Sequence, residues 1–483
     1  MKLYEVMNGI EFENLCGSEK TEIEGIAYDS RLVEKGYAFV CINGFNTDGH
    51  KYIENAVASG AKIIIVEKNV DAIDNVCILK VKNARAALAK MSANFYKNPS
   101  EKMNIIGVTG TNGKTTTTYI IKSVLDTTGH KVGIIGTIEN RIGNRVLHTE
   151  RTTPESLDLQ KLLNDMFLEE VDSVVMEVSS HALDLNRVDC CEYNIGVFTN
   201  LTQDHLDYHV NMENYKMAKA KLFKACDNSV INIDDEAGKY MQDIAKGKVL
   251  TVGIDKEADI MAKEIKMSYD GIEFDLVYLN DSYPIKLNML GRFSVYNVLV
   301  SVGACVFMGM PMDSIIHGIE VIKGVKGRFE TIKNPNGFSV VVDYAHTPDS
   351  LENVLKTAKE FVKGNIITVF GCGGNRDKTK RPIMGEIAGE LSTYCIITND
   401  NPRSENPETI SQEIEKGIKE TLCPYEKILD RKEAILKAVS IAKRDDIVII
   451  AGKGHETYQI FSDKTIHFDD MEVVLQAFEE VEQ

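Results

Sequence analysis

What this 483-residue chain does not contain narrows its function before any motif is read. No apolar run approaches the roughly 18 residues of a membrane-spanning helix, and Met1-Lys2-Leu3-Tyr4-Glu5 does not open a signal peptide, so a cytoplasmic protein without a membrane span is expected. The ten cysteines form no Cys-x-x-Cys pair, and the adjacent Cys190 and Cys191 are poorly placed to bridge one another; reduced core thiols are the expectation. No Lys/Arg block stands out, and 55 basic against 72 acidic residues leave a net charge of −17, which argues against nucleic acid as a partner. An anionic ligand must therefore be held by local donors rather than by the overall field. Repeats and low-complexity segments are missing too. What remains is ordinary soluble composition, 43% hydrophobic and 26% charged, at a length that predicts about three domains.

The chain is organised around residues 104–119. Ile105, Ile106 and Val108 predict a buried strand, and Gly110, Thr111, Asn112 and Gly113 a turn. Lys114 opens a helix with Ile120, Ile121, Val124 and Leu125 on one face and Gly129 as its stop. Strand, glycine turn and helix in this order suit a nucleotide phosphate loop. Backbone amides converge on an anion at the helix N-terminus, Lys114 adds a point charge, and the Thr115 hydroxyl is placed to reach Mg²⁺. One departure stands out: the glycine usual five residues before Gly113 is Val108, so Gly110 serves instead.

Residues 1–95 read as a small α/β unit, with strands at 37–42 and 61–66 and a helix over 50–60. Residues 96–325 alternate strands and helices around the phosphate loop. A strand at 131–136 leads to Arg151, Thr152 and Thr153. The run 172–181 is a buried strand ending in Glu177, Ser179, Ser180 and His181, where a Mg²⁺ carboxylate is expected at the C-terminal end of a parallel strand. After a strand at 195–198, Asp204, His205, Asp207 and His209 crowd into six residues. Zinc lacks a suitably spaced cysteine there, and Mg²⁺ suits the phosphate loop better. A helix over 213–225 carries Lys219 and Lys221, which nothing local separates. Residues 323–330 form a Gly/Lys-rich connection, and 326–483 a third α/β unit. Its strands at 338–343, 366–370, 394–398 and 447–451 all end in polar loops, as expected if one sheet edge lines a cleft. Thr347, Pro348 and Asp349 are a good helix start.

Taken together, Gly110 to Thr115, Glu177 to His181, Asn200 to His205, Ala218-Lys219, Asn297, Gly327-Arg328, Asp343 to His346 and Asp400-Asn401-Pro402-Arg403 resemble the Mur ligases of peptidoglycan synthesis, in order and along the whole chain. The resemblance implies an α/β fold of three domains: a small N-terminal α/β domain, a central phosphate-loop ATPase domain with a mostly parallel sheet, and a C-terminal Rossmann-like domain. It further implies an ATP- and Mg²⁺-dependent amide ligase, expected as a monomer, that adds meso-diaminopimelate to UDP-MurNAc-L-Ala-D-Glu through an acyl phosphate. Gly110, Thr111, Asn112, Gly113, Lys114, Thr115 and Thr116 then bind phosphates. Thr115, Glu177, His205 and a carbamylated Lys219 serve magnesium, with Lys114, Glu177, His205 and Lys219 as the catalytic set. Asn297, Arg328, Asp343 and His346 face the nucleotide. Ser30, Asn46, Thr47, Thr152, Thr153, Ser179 and Arg187 hold the nucleotide sugar, with Leu185 and Arg151 departing from residues common in relatives.

For the amino acid, the resemblance points to Arg376, Asp400, Asn401, Pro402, Arg403, Gly452 and Glu456. Lysine-adding relatives lack the arginine of Asp-Asn-Pro-Arg. An arginine fork binds the second carboxylate of diaminopimelate bidentately and repels the bare ammonium of lysine, while Glu456 suits the distal ammonium. The competing readings are a lysine-adding Mur ligase, a folate polyglutamate ligase, which lacks such a first domain, and a phosphate-loop NTPase or nucleotide sensor.

Overall fold

The computed structural model describes residues 1–481 apart from 45, 46, 150, 269 and 270; the expected substrate residue Asn46 thus lies outside the described residues. The chain packs as two compact units. One comprises Met1–Thr109, His130–Gly196 and Ala218–Asn228, the other Gly110–Gly129, Val197–Met217 and Ser229–Gln483.

In the first unit, β1 (Phe12–Cys16), β2 (Gly25–Ala27), β3 (Tyr37–Val40), β4 (Ile63–Val66) and β5 (Cys77–Val81) form a sheet in the order β1-β5-β4-β3-β2. All its pairs are parallel except β1 with β5. Every residue of β4 is buried, because apolar layers cover both faces of the sheet, and a strand so placed reads as a continuous hydrophobic run. The helix expected over 50–60 is instead a 3₁₀ turn, Gly49–Tyr52, followed by a helix Ile53–Ala58. The Asp48 carboxylate accepts the His50 amide and starts the tighter turn.

The same unit holds β6 (Asn104–Thr109), β7 (Val132–Ile135), β8 (Asn140–Ile142), β9 (Arg145–Leu147) and β10 (Ser173–Glu177), ordered β6-β10-β7-β8-β9. The first three are parallel, with Glu177 opposite Val108, so the end of β10 and the start of the phosphate loop fall at one level. Strands β11 (Tyr193–Phe198) and β12 (Cys226–Asn232) contribute residues to both units.

The second unit contains β13 (Lys248–Gly253) and a meander, β14 (Ile260–Ser268), β15 (Gly271–Tyr278) and β16 (Asp281–Leu287). Its other sheet joins β17 (Glu330–Lys333), β18 (Ser339–Asp343), β19 (Ile366–Phe370), β20 (Tyr394–Ile397), β21 (Tyr425–Lys427) and β22 (Ile447–Ala451) in the order β17-β18-β22-β19-β20-β21. Apart from the antiparallel edge strand β17, all its pairs are parallel. Helices Pro348–Phe361, Lys380–Leu391 and Pro407–Ile418 cover one face, and Arg431–Ile441 and Asp470–Val481 the other. Asp343 lies opposite Ala451, and Phe370 opposite Ile397. Four loops therefore leave the sheet at one edge, the geometry in which open α/β sheets bind ligands.

Candidate active site

The phosphate loop is fixed by its neighbours in the second unit. The Thr111 amide donates to the Asn200 carbonyl, and the Asn112 amide to the Asn200 side-chain oxygen, both at 2.9 Å. The Thr199 hydroxyl donates to the Asn112 carbonyl at 2.6 Å. These two loop amides are thus engaged by protein, just ahead of the N-terminus of helix Lys114–Thr127. Gly113 is left-handed, φ +84°, and any side chain there would collide with Asn297 Oδ1, so Asn297 packs directly against the loop. The Lys114 ammonium donates to the carbonyls of Gly110 and Thr111 at 3.0 and 2.7 Å.

Two further contacts tie the loop to the C-terminal sheet. Asp349, on the first turn of its helix, accepts the Asn112 amide group at 2.6 Å, and Arg328 donates to the Thr115 hydroxyl at 2.9 Å. Asp343 does not aim into open space: its two oxygens accept the amides of Phe329 (2.6 Å) and Ala345 (2.7 Å), fixing the segment that carries Arg328. Burial pushes this carboxyl up, with Arg328 and the two amides opposing. Next to these groups lies a cavity of about 310 Å³ lined by Thr116, Leu290, Phe293, Arg328, Phe329 and Phe361.

His205 adopts a left-handed backbone, φ 54°, ahead of the turn Leu206–His209. A non-glycine residue held there marks a position fixed by its surroundings. Its amide donates to Asp204 at 2.8 Å. Burial alone would raise Asp204, but His205, His346 and Lys380 bring it down to about 2. Burial and then Lys380 lower His346, whose carbonyl accepts the Lys380 ammonium at 2.8 Å. The four-residue acid and histidine cluster expected here does not converge. Asp207 is exposed, and the buried His209 ring packs 5.0 Å from Tyr215, because one helical turn points successive side chains in different directions. Among the described residues, no three His, Cys, Asp or Glu side chains gather as a ready-made metal site.

From Arg328 a chain of contacts runs along the edge of the C-terminal sheet. Its guanidinium stacks 4.6 Å over the Tyr344 ring, which lies 4.9 Å from the His455 ring. Adjacent Glu456 accepts the Asn401 amide at 2.8 Å. Arg403, also left-handed at φ 53°, donates to the Gly374 carbonyl at 3.0 Å. Burial, then repulsion from exposed Arg376, lowers the half-buried Arg403 guanidinium, so the two cations lie close enough to repel one another. Gly452 takes φ +121°, and a Cβ there would stand 2.5 Å from Asp400 Oδ2; only glycine lets that carboxylate in. Arg381, in the first turn of helix Lys380–Leu391, is fully buried against Glu405 and Glu413, at 3.0 and 2.7 Å, and holds the neighbouring loop rather than a ligand.

The first unit brings together Thr152, Thr153, Glu177, Ser179 and Arg187. Glu177 is buried and accepts the amide and hydroxyl of Thr137 at 2.8 and 2.9 Å. The Thr153 hydroxyl donates to the Glu177 carbonyl and accepts the Ser179 amide, at 2.7 and 3.1 Å, while Thr152 meets Thr137 at 3.0 Å. Ser179 caps the following short helix. Arg187 lies 3.3 Å from Glu155, which is 4% exposed and also faces Arg85 at 2.9 Å and Arg151 at 3.8 Å. Burial lowers Arg187 while Glu155 opposes it. Tyr28 donates to Asp158 at 2.6 Å. Ser30 starts the turn Ser30–Leu32, and the Thr47 hydroxyl meets Tyr52 at 3.1 Å. Burial separates the two lysines that sequence could not: Lys219 is buried, whereas exposed Lys221 pairs with Asp184 at 3.0 Å. Sequence reasoning passed over Thr137, Glu155, Arg85 and Lys453, and the role of Asp349 in holding Asn112. None carries a local signal; each is recognised by its partners.

Comparison with known proteins finds the same family along the whole chain. The Mur ligase family catalytic-domain model matches residues 22–96, the Mur ligase middle-domain model 108–305, and the Mur ligase glutamate-ligase-domain model 327–454. A UDP-N-acetylmuramoyl-L-alanyl-D-glutamate–2,6-diaminopimelate ligase of Caldanaerobacter subterraneus subsp. tengcongensis is 49% identical over 484 residues, with 100% of both chains covered. A protein of the same name from Clostridioides difficile is 49% identical over 477 residues, 98% of each chain. A solved structure of a ligase so named is 32% identical with a TM-score of 0.71, covering 100% of this chain and 99% of that one. The MurF ligase of Thermotoga maritima in complex with ADP shares the fold, with a TM-score of 0.65 at 19% identity over 95% of this chain and 97% of that one.

Proposed function

The chain belongs to the Mur ligase family, and from that premise we infer that it joins meso-diaminopimelate to UDP-MurNAc-L-Ala-D-Glu with cleavage of ATP. ATP gives its γ-phosphoryl group to the γ-carboxylate of the D-glutamyl residue. An amine of the diamino acid attacks the resulting acyl phosphate, and the tetrahedral adduct collapses to amide and phosphate, the attacking nitrogen losing a proton. Lys114 and the helix-opening amides hold the ATP phosphates, and Arg328 stands where charge builds during transfer. The 310 Å³ cavity beside Thr116, with Phe293 and Phe329 in its wall, is the place for the nucleoside. Thr152, Thr153, Ser179 and Arg187 hold the anionic end of the nucleotide sugar.

The donor chemistry fits magnesium. The Thr115 hydroxyl, the Glu177 carboxylate and the His205 imidazole are few protein ligands, as expected for an ion that keeps water and substrate phosphate oxygens around it. When bound, Mg²⁺ offsets the charge of the phosphates. A carbamate on buried Lys219, which the family resemblance implies, would replace an ammonium by an anion. The ranges matched by the family models support divisions at 1–95, 96–325 and 326–483. No helix among the described residues is long and apolar enough to cross a membrane, and the substrates, UDP-sugar and ATP, are cytoplasmic compounds.

One observation carries the reading. Within the second unit, contacts run from Thr115 to Arg328, Tyr344 and His455, whose neighbour Glu456 accepts from Asn401, to which Arg403 donates; this supports reading the phosphate loop and the amino-acid pocket as one site. Paired Arg403 and Arg376 favour diaminopimelate over lysine. The test is a side-by-side assay with meso-diaminopimelate, L-lysine and L-ornithine. Phosphate release is expected only with UDP-muramoyl-dipeptide and meso-diaminopimelate together. Release without either substrate would indicate an NTPase, and preference for lysine would move the chain to the lysine-adding branch.

A further inference from the structure

Lys453 lies in the turn after β22 with its side chain 0% exposed. Lysine is among the residues least often buried, and an enclosed ammonium persists only where acceptors satisfy it. Its two hydrogen-bond partners are both residues assigned above to the diamino acid. The ammonium donates to Asn401 Oδ1 at 3.1 Å and to Glu456 Oε2 at 3.1 Å. Asn401 is itself fixed, because its Oδ1 also accepts the Ile460 amide at 2.9 Å, and its amide group donates to the same Glu456 Oε2 at 2.8 Å. Two donors from two loops therefore meet on one carboxylate oxygen.

We propose that Lys453 is the positioning residue of the diamino-acid pocket: with Asn401 it clamps Oε2 of Glu456, so that Oε1 is presented to the distal ammonium of the substrate. The inference rests on the reading of this pocket as the diamino-acid site. Electrostatics gives the clamp a second effect. Glu456 is faced by Asp400 and Arg403 from the loop after β20, Tyr344 from the loop after β18, Arg431 from helix Arg431–Ile441, and Tyr458. Burial pushes the Glu456 carboxyl up and Asp400 pushes it further, while Lys453 is the first influence that pulls it back. Without that ammonium, Glu456 holds its proton to higher pH and cannot pair with an ammonium until it ionises.

Steady-state kinetics on the full chain separates this from a merely structural lysine. Lys453→Met is expected to raise KM for meso-diaminopimelate about 30-fold near neutral pH, the loss of one charge-assisted contact, while KM for ATP stays within about twofold. The defect is expected to shrink as pH is raised, because Glu456 then ionises unaided. Glu456→Gln should show a similar loss at every pH, and the double variant should be no worse than Glu456→Gln. Lys453→Gln, which keeps a polar donor, serves where the methionine variant does not fold and should show the same pH-dependent loss. An unchanged KM for the diamino acid, equal losses for ATP and diamino acid, or a defect independent of pH would overturn the proposal. A wild-type enzyme that does not turn over with meso-diaminopimelate would instead overturn the substrate assignment on which it rests.

Discussion

Two glutamates, buried Glu155 in the first unit and half-buried Glu456 in the second, are surrounded in different ways. Glu155 faces three guanidiniums, Arg85, Arg187 and Arg151, so the glutamate serves the arginines: it gathers cations that would otherwise repel one another and leaves an excess of positive charge. Glu456 shares its surroundings with another carboxylate, Asp400, and Lys453 serves the glutamate. The first arrangement suits a ligand that is anionic throughout, such as the carboxylate or phosphates of a nucleotide-sugar dipeptide. The second, with Arg403 and Arg376 close by, suits a ligand bearing both an ammonium and a carboxylate. The make-up of the charge around the same kind of side chain, cations alone or cations beside a second carboxylate, thus distinguishes the two proposed pockets.

The sharpest way to break this contrast is at the cationic end of the second pocket. Arg403→Ala removes a half-buried guanidinium whose proposed counterpart is the substrate's distal carboxylate, and truncating one partner of such a pair costs about 4 kcal/mol, or roughly a thousandfold. Measured as kcat/KM, this loss is expected for meso-diaminopimelate, with KM for ATP barely changed. Equal losses for both would remove Arg403 as the selector and leave the two pockets chemically alike. A smaller effect, on stability, is expected in the first unit. Glu155→Gln leaves three arginines without their shared counter-charge, at a cost of about 3 kcal/mol read by urea denaturation. A variant as stable as wild type would mean that the guanidiniums are solvated and that Glu155 does not gather them.

The unequal legibility of these regions has a physical cause. The phosphate loop could be read from the sequence because its geometry is local: Gly113, Lys114 and Thr115 make a turn and a helix start within a few residues. The parallel strands were equally plain, since β4, β18, β19 and β22 are runs of mostly branched apolar residues with every residue buried. The meander β14–β16 was not, because its strands alternate buried and exposed residues and carry lysines and glutamates on the outer face. Glu155, Lys453 and Asp349 were silent as ligands and clamps for another reason. Each derives its role from residues 3 to 237 positions away, and no local pattern records such a partner. The resemblance to a family supplied the residues expected to touch substrate but not the residues that hold them.

Glu405 provides the control that sharpens the comparison, because its charge is matched inside the protein. It accepts from fully buried Arg381 at 3.0 and 3.2 Å and pairs with Lys378 at 3.2 Å, with no surplus left for a ligand. The Arg381 hydrogen bonds, outweighing burial, draw its carboxyl from 4.5 to about 2. A depressed carboxyl contributes stability that is present above its unfolded value and is lost as pH falls towards the folded one. Wild type should therefore lose this contribution between about pH 4.5 and 2, while Glu405→Gln, having no charge to protonate, lacks that part of the acid limb. At neutral pH the substitution should cost about 1 kcal/mol, since a charge-assisted hydrogen bond becomes a neutral one. KM for meso-diaminopimelate should not move. If it rises as it does in Arg403→Ala, the Arg381–Glu405 pair is part of the pocket rather than its scaffold, and the division between internally matched and ligand-directed charge fails in this loop.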